Sequence, residues 1–444
     1  MSAAQSPATG PRPGQGSRLD PWVHTYADRT AGLTVSEIRA LFAVASRPEV
    51  VSLAGGMPFL SALPMDIVGD SLAKLVSERG GVALQYGSGQ GDPDLRERIL
   101  TVMAPQRVTA HADDVVVTTG SQQALDLVTR IFVNPGDVVL AEAPSYVGAL
   151  GVFRSYQADV VHVSMDDDGL VPAALDETLR ALSARGRPVK LLYTVPNYHN
   201  PAGVTLSAAR RPEILEITQR YGVLVVEDDP YGLLGFDGDP LPSLRSLDAQ
   251  GVIYLGSFSK TFAPGFRVGW AVAPHAIREK LVLASESAIL CPSAFSQLAI
   301  LTYLDTQDWR HQVTLYRDIY RERCATMLDA LADKMPDATW TVPKGGFYVW
   351  VTLPDALDAK AMLPRAVTER VAYVPGIAFY ADGQGRDKMR LSYCYPTSER
   401  IREGVRRLAT VIDAERELVS SFGAGAAPAP GPSRDISSPG PDLR

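Results

Sequence analysis

The chain is poor in cysteine: Cys291, Cys324 and Cys394 are the three among 444 residues. An odd, scattered set excludes a disulfide framework, and no two stand at a metal-ligand spacing, so no metal site is expected. They read as reduced thiols of a cytoplasmic protein. No stretch approaches the ~18 consecutive apolar residues that a membrane span needs. The N-terminus carries no basic region followed by an apolar core, so no secretory signal is expected. Charge of one sign is also lacking. The 43 basic and 50 acidic residues leave a formal net charge of −7, which offers no electrostatic attraction to nucleic acid or to an anionic membrane. There is no internal repeat.

What is present is ordinary for a globular protein: 46% hydrophobic and 21% charged residues. The length suits two or three domains with cores that need no covalent staple. Residues 1–20 and 423–444 are rich in Ser, Ala, Gly and Pro and predict a disordered leader and tail. Between them, short β-branched runs alternate with amphipathic stretches. VVVTT (115–119), DVVLAE (137–142), VKLLYTV (189–195), GVLVVED (222–228) and GVIYLGS (251–257) predict strands. SQQALDLVTRIF, YVGALGVFRSY and AARRPEILEITQRY predict helices. The apolar runs are nearly continuous, as strands covered on both faces require. This order predicts an α/β domain with a mainly parallel sheet. From residue 274 to about 331 the chain reads as long helices. FYVWVTL (347–353), VAYVPG (371–376) and KMRLSYC (388–394) then read as short strands before a last helix over 399–422. The expected division is an N-terminal segment (21–65) packing with a small α+β domain (311–422), and a large domain (66–310).

Lys260 stands in GSFSKTFAPGFRVGW, where an apolar strand ends among small residues. A lysine there is costly unless exposed, paired or chemically employed. Alone it would read as an exposed loop lysine. Ser257 and Ser259 are hydroxyls of the kind that bind phosphate, and Arg267 adds a fixed fork of donors. A phosphate clamp beside a lysine suits a phosphorylated aldehyde cofactor, held by its anion and by an imine to the amine. The motif is not a nucleotide P-loop, because the spaced glycine is missing and Ser259 precedes the lysine. GSGQG (87–91) has no strong strand before it and reads as a turn.

With these motifs in order from about Leu33 to Leu418, the sequence resembles the fold-type I pyridoxal-phosphate aminotransferases of class I/II. It is most similar to the branch of kynurenine and 2-aminoadipate aminotransferases. The resemblance implies an aspartate-aminotransferase-like α/β fold: a large domain with a mainly parallel seven-stranded sheet, plus a smaller α+β domain. It implies pyridoxal 5′-phosphate as cofactor and Lys260 as its anchor and the catalytic base. Gly120, Ser121 and Gln122 would offer backbone N–H groups to the phosphate at a helix start. Tyr146 would stack on the cofactor ring. Asn200 (PNYHNPAG) and Tyr231 would bond the phenolic oxygen. Asp228, chosen over Asp229 because a tyrosine follows three residues on, would hold the ring nitrogen protonated. Tyr86 would reach the phosphate of a neighbouring subunit, implying a homodimer. Arg390 would grip the substrate α-carboxylate, with Gly56 letting backbone approach it, Asn200 contributing and Arg39 near the substrate side chain.

The sequence departs from the family at Tyr198, His199 and Ala202, and in GLLGFDG after Tyr231. His199 reads as structural rather than as an acid or base. The activity implied is ping-pong transfer of an amino group from an aromatic or long-chain L-amino acid to a 2-oxo acid. Specialised-metabolite pathways, including those to arylglycines, are among the uses known for relatives. Elimination, β-replacement, decarboxylation or oxidation on the same scaffold are the nearest alternatives. A cofactor-binding transcription regulator is another, but only about thirty residues precede the match, too few for a winged helix, and no basic patch appears.

Overall fold

The computed structural model describes residues 20–33 and 47–422. Residues 1–19 and 423–444, where the leader and tail were expected, lie outside the described residues, as does Arg39. In chain order the strands are β1 (Val51–Ser52), β2 (Val115–Thr118), β3 (Val138–Ala143), β4 (Asp159–Asp166), β5 (Gly169–Leu170), β6 (Val189–Thr194) and β7 (Leu224–Asp228). They continue with β8 (Val252–Ser257), β9 (Gly269–Val272), β10 (Thr339–Trp340), β11 (Tyr348–Thr352), β12 (Val371–Ala372), β13 (Val374–Pro375) and β14 (Lys388–Ser392).

The large sheet runs β2-β9-β8-β7-β6-β3-β4-β5. Pairings among β8, β7, β6, β3 and β4 are parallel, while β9 is antiparallel to both β8 and β2. The expected seven strands become eight. The additional one is β5, two residues that fold back antiparallel on β4 after a two-residue turn, with Gly169, the first residue of β5, at φ +87°. Alternation along the strands explains the continuous apolar runs. Val139, Leu191, Val226 and Ile253 enter one core, and Leu140, Leu192, Val225 and Val252 enter another on the opposite face. The helix Ser121–Phe132 packs on one side with Val147–Ser155 and His275–Ile289, and Pro172–Ala184 packs with Arg210–Tyr221 on the other. Each fully buried Leu or Val contributes roughly 1.5–3 kcal/mol.

Among the strands that escaped the sequence reading are β4 and β9. β4 carries Asp at both ends and is mostly half-exposed, so it lacks the unbroken apolar run of its neighbours. β9 is four residues directly after the Arg267 motif. VAYVPG, read as one strand, divides in two. β12 pairs in parallel with β1, and β13 pairs antiparallel with β14. Pro375 ends β13 because it has no N–H to continue a ladder. β1 and β12 thus tie the N-terminal segment to residues of the C-terminal part, where the four-stranded sheet β10-β11-β14-β13 lies with the helices Trp309–Lys334 and Ser398–Phe422.

Candidate active site

The C-terminal ends of β2, β3, β6, β7 and β8 meet at one edge of the sheet, the place where α/β sheets bind ligands. A cavity of about 300 Å³ opens there. Residues from the β11 and β14 strands close its other side, so groups far apart in sequence share one space.

Asp228 is the last residue of β7 and is buried. Its Oδ2 accepts from the Tyr193 hydroxyl at 2.8 Å, and its Oδ1 has no partner among the described residues. Burial pushes the carboxyl up to about 7, with the neighbouring Asp229 adding to the shift and the Tyr193 bond and Lys260 opposing it. Asp229 faces away from the cavity. Asn197 Nδ2 donates to it at 3.1 Å, Tyr254 at 3.3 Å, and Gln106 also bonds it. Strand alternation therefore separates the two adjacent carboxylates by face.

Lys260 lines the same cavity, and its Nζ donates to the Gly56 carbonyl at 2.8 Å. Burial lowers the amine to about 8. The Arg390 and Arg267 charges add to that shift, while Cys394 and Asp228 act the other way. Near neutral pH such a lysine is still mostly protonated, but its neutral fraction is far larger than that of an ordinary lysine, and that fraction can act as nucleophile or base.

The helix Ser121–Phe132 begins at Gly120, whose φ is +80°, and no side chain caps it. Its first residues, Ser121 and Gln122, line the cavity. A Cβ on Gly120 would run into the Arg267 guanidinium, so glycine here lets the arginine sit against the helix start. Ser257 Oγ donates to Ser259 Oγ at 2.9 Å and accepts from the Ser259 N–H at 3.0 Å. Both hydroxyls line the cavity with Arg267. A helix N-terminus, two hydroxyls and a guanidinium make an anion cradle.

Tyr146 stands just before the helix Val147–Ser155, with its hydroxyl 3.3 Å from Gln122 Oε1. Burial raises that hydroxyl to about 12, so it stays neutral. Tyr231 is buried with its hydroxyl 3.5 Å from that of Tyr348. Arg390, on β14, is 2% exposed. It donates from Nη1 to Asn200 Oδ1 at 2.8 Å and from Nη2 to the Ala54 carbonyl at 2.6 Å. Its guanidinium lies 4.1 Å from the Tyr348 ring centroid and 5.1 Å from that of Phe379. No carboxylate among the described residues pairs with it, and Nε has no partner. A buried cation held only by neutral groups is costly unless an anion joins it.

The structure thus gathers Gly56, Ser121, Gln122, Tyr146, Asn200, Asp228, Tyr231, Ser257, Ser259, Lys260, Arg267 and Arg390 round one cavity, with Gly120 directly behind. Tyr86 is not among them: it is 78% exposed. A Cβ on Gly56 would fall on the Tyr348 hydroxyl, so the glycine makes room for that ring as well. Tyr198, His199 and Ala202 do not line the cavity. His199 is fully buried, with Nε2 3.0 Å from Glu142 Oε2 and Nδ1 accepting from the Ala202 N–H at 3.2 Å. Glu142 also accepts from Thr194 Oγ1 and the Val195 N–H, both at 2.8 Å. This buried pair fastens the loop that carries Asn200. Tyr193, Tyr348 and Met57 belong to the site or its immediate support but were not singled out from the sequence. Aromatic residues within apolar strands carry no signal of their own, and only strand register shows what they meet.

A family model described as aminotransferase class I and II matches residues 54–408. The chain is 41% identical over 394 residues to aromatic-amino-acid aminotransferase 1 of Thermococcus litoralis, covering 88% of this chain and 94% of that one. It is 38% identical to 2-aminoadipate transaminase of Thermus thermophilus, covering 90% and 99%. Among solved structures it resembles kynurenine aminotransferase of Pyrococcus horikoshii, which was solved in complex with PMP. That match has TM-score 0.86 and 40% identity, and covers 90% of this chain and 99% of the other.

Proposed function

Because the chain belongs to the class I and II aminotransferases, we propose that it moves the amino group of an aromatic or long-chain L-amino acid to a 2-oxo acid. It is a pyridoxal-phosphate-dependent transaminase, and the cavity fits that cofactor. The buried Asp228 Oδ1, which lacks a partner among the described residues, suits a protonated ring nitrogen. Gly120, Ser121, Ser257, Ser259 and Arg267 suit its phosphate, Tyr146 its ring face, and Asn200 and Tyr231 its phenolic oxygen. When bound, pyridoxal phosphate supplies an aldehyde that condenses with amines and a ring that takes up the electron pair left when Cα loses its proton. Lys260 Nζ is placed to take that proton and return it. Arg390 holds the α-carboxylate, the anion that its buried guanidinium otherwise lacks among the described residues, and Tyr348 packs against the guanidinium. The donor leaves as a 2-oxo acid and a second 2-oxo acid takes the amino group, giving ping-pong kinetics.

The preference for aromatic or long apolar side chains rests on the apolar lining that remains once the cofactor contacts are assigned, to which Met57, Val195 and Tyr348 contribute. The test is a panel of amino donors with 2-oxoglutarate, read as 2-oxo acid formed. Kynurenine, phenylalanine, leucine, 2-aminoadipate, an arylglycine and aspartate would be compared. Phenylalanine, kynurenine or the arylglycine should exceed aspartate at least tenfold in kcat/KM. Equal rates would remove the substrate assignment. Absence of any transfer would instead favour another reaction on this scaffold.

We place the protein in the cytoplasm as a homodimer. No helix among the described residues is long and apolar enough to cross a membrane. Val82, Leu84 and Tyr86 are exposed, and so are Leu283, Ile289 and Leu290. Gly87 and Gly89 bring the two segments together, since a Cβ at these positions would touch Ala294 and Glu286. Such a patch favours burial against a second copy. Leu290→Asp should convert a dimer into monomer in sedimentation velocity. Tyr86→Phe should weaken pyridoxal phosphate binding about tenfold through loss of one phosphate hydrogen bond. A monomeric wild type, or a Tyr86→Phe variant with unchanged affinity, rejects the shared site.

A further inference from the structure

Asp228 presents only one oxygen to the cavity, and the other is engaged from behind. Tyr193 stands on β6 in register with Val226 of β7, which places its side chain on the same face as Asp228 two residues on. Its hydroxyl donates to Asp228 Oδ2 at 2.8 Å. The ring is fully buried and packs edge-on against Phe153, with centroids 5.6 Å apart. It therefore cannot swing away to release the carboxylate. A carboxylate at the end of a strand otherwise has freedom about χ2 and two equivalent oxygens. The Tyr193 bond removes both. It consumes Oδ2 and leaves Oδ1 without a partner among the described residues, on a side chain that lines the cavity.

We propose that Tyr193 is a positioning residue for cofactor chemistry, acting through Asp228 by fixing which oxygen meets the cofactor ring nitrogen and by holding that carboxylate ionised. This rests on the reading that Asp228 faces that nitrogen. Five groups near the carboxylate interact with its charge: Tyr193 from β6, Asp229 next in the chain, Lys260 beyond β8 and, farther off, Tyr146 ahead of its helix and Tyr254 on β8. Burial works against ionisation, and the Tyr193 hydrogen bond counters it directly. Without that donor, the proton shared between carboxylate and ring nitrogen moves toward the carboxylate. The ring then holds less positive charge and draws electrons less strongly from substrate. Tyr193 is not among the residues lining the cavity, so substrate recognition by Arg390 should be unaffected.

The test uses the full-length, cofactor-loaded enzyme and its cofactor-free form, titrated with pyridoxal 5′-phosphate. Tyr193→Phe keeps the ring and its contact with Phe153 and removes one hydroxyl. It should raise the dissociation constant for pyridoxal 5′-phosphate about tenfold, the usual scale for one hydrogen bond to a charged group. It should lower kcat by a similar factor, leave KM for the amino donor within twofold, and move the pH midpoint of the bound cofactor's visible absorption upward. In an Asp228→Asn background the same substitution should have less than a twofold effect on affinity and on the midpoint. Unchanged affinity and absorption in Tyr193→Phe would overturn the proposal. So would an equal effect in both backgrounds, which would make the hydroxyl merely structural. A wild type that fails to bind pyridoxal 5′-phosphate at all would instead defeat the reading of the site itself.

Discussion

Lys260→Ala should lower 2-oxo acid formation by about 10⁴-fold or more, because in the proposed mechanism one substitution removes both the cofactor's covalent anchor and the Cα base. Proton transfer alone accounts for roughly 10²–10⁴ of such a loss. The anion cradle of Ser257, Ser259, Arg267 and the Gly120 helix start is untouched, so the variant should still bind pyridoxal 5′-phosphate without a covalent bond. Lys260→Arg should be as inactive as the alanine variant, since a guanidinium does not lose its proton in a protein. The pH behaviour of the cofactor-free protein follows from the lowered amine, at about 8. Only the neutral amine captures an aldehyde. Uptake of pyridoxal 5′-phosphate should therefore rise close to tenfold per pH unit up to about 8 and level off above it. Stopped-flow absorbance measures this directly. A plateau reached only near the ordinary lysine value of 10.5 would show that burial does not depress the amine, and near-wild-type turnover by Lys260→Ala would remove it from the mechanism.

Much of this site was legible because polar residues break apolar runs. Asp228 closes LVVED, Ser257 closes VIYLGS, and Lys260 follows three residues later. In a buried parallel sheet such interruptions fall at the strand ends, where the fold collects ligands. The same logic is silent about Tyr193 and Tyr348. Each is an aromatic in an apolar strand, indistinguishable in pattern from a core residue. Tyr193 meets Asp228 only because β6 and β7 pair with Tyr193 opposite Val226. Tyr348 meets Arg390 because β11 and β14 pair with Trp350 opposite Arg390, putting Tyr348 on the diagonal. Register between distant segments is a tertiary property. The same holds for β12, which forms against Val51–Ser52, residues near the opposite end of the chain. β4 was missed for another reason: its charged ends and half-exposed face resemble a loop, and its parallel partner β3 makes it a strand. Asp228 and Asp229 illustrate how far local chemistry reaches. A motif distance favoured the first, but the alternation of β7 is what sends one carboxylate to the cavity and the other to Gln106, Asn197 and Tyr254.

Arg390→Ala should lower kcat/KM for the amino donor by roughly 10²–10³, mostly through KM, with pyridoxal 5′-phosphate affinity unchanged. The magnitude follows from removing one partner of a buried, hydrogen-bonded charge pair, about 3–4 kcal/mol in complexes of this kind. Before substrate arrives, the guanidinium is held by Asn200, the Ala54 carbonyl and the Tyr348 and Phe379 rings. All are neutral, so they orient the cation without quenching it. An α-carboxylate entering the cavity thus meets a preorganised and uncompensated charge, which is the arrangement that gives the largest return per contact. Arg390→Lys should recover only part of the loss, because an ammonium keeps the charge but not the planar fork or the stacking on Tyr348. An amine donor lacking the carboxylate should react equally slowly with wild type and Arg390→Ala. That comparison separates recognition from folding, since a damaged fold would slow both donors. If Arg390→Ala processes the carboxylate-bearing donor within threefold of wild type, the carboxylate is held elsewhere, and the buried cation on β14 needs another explanation.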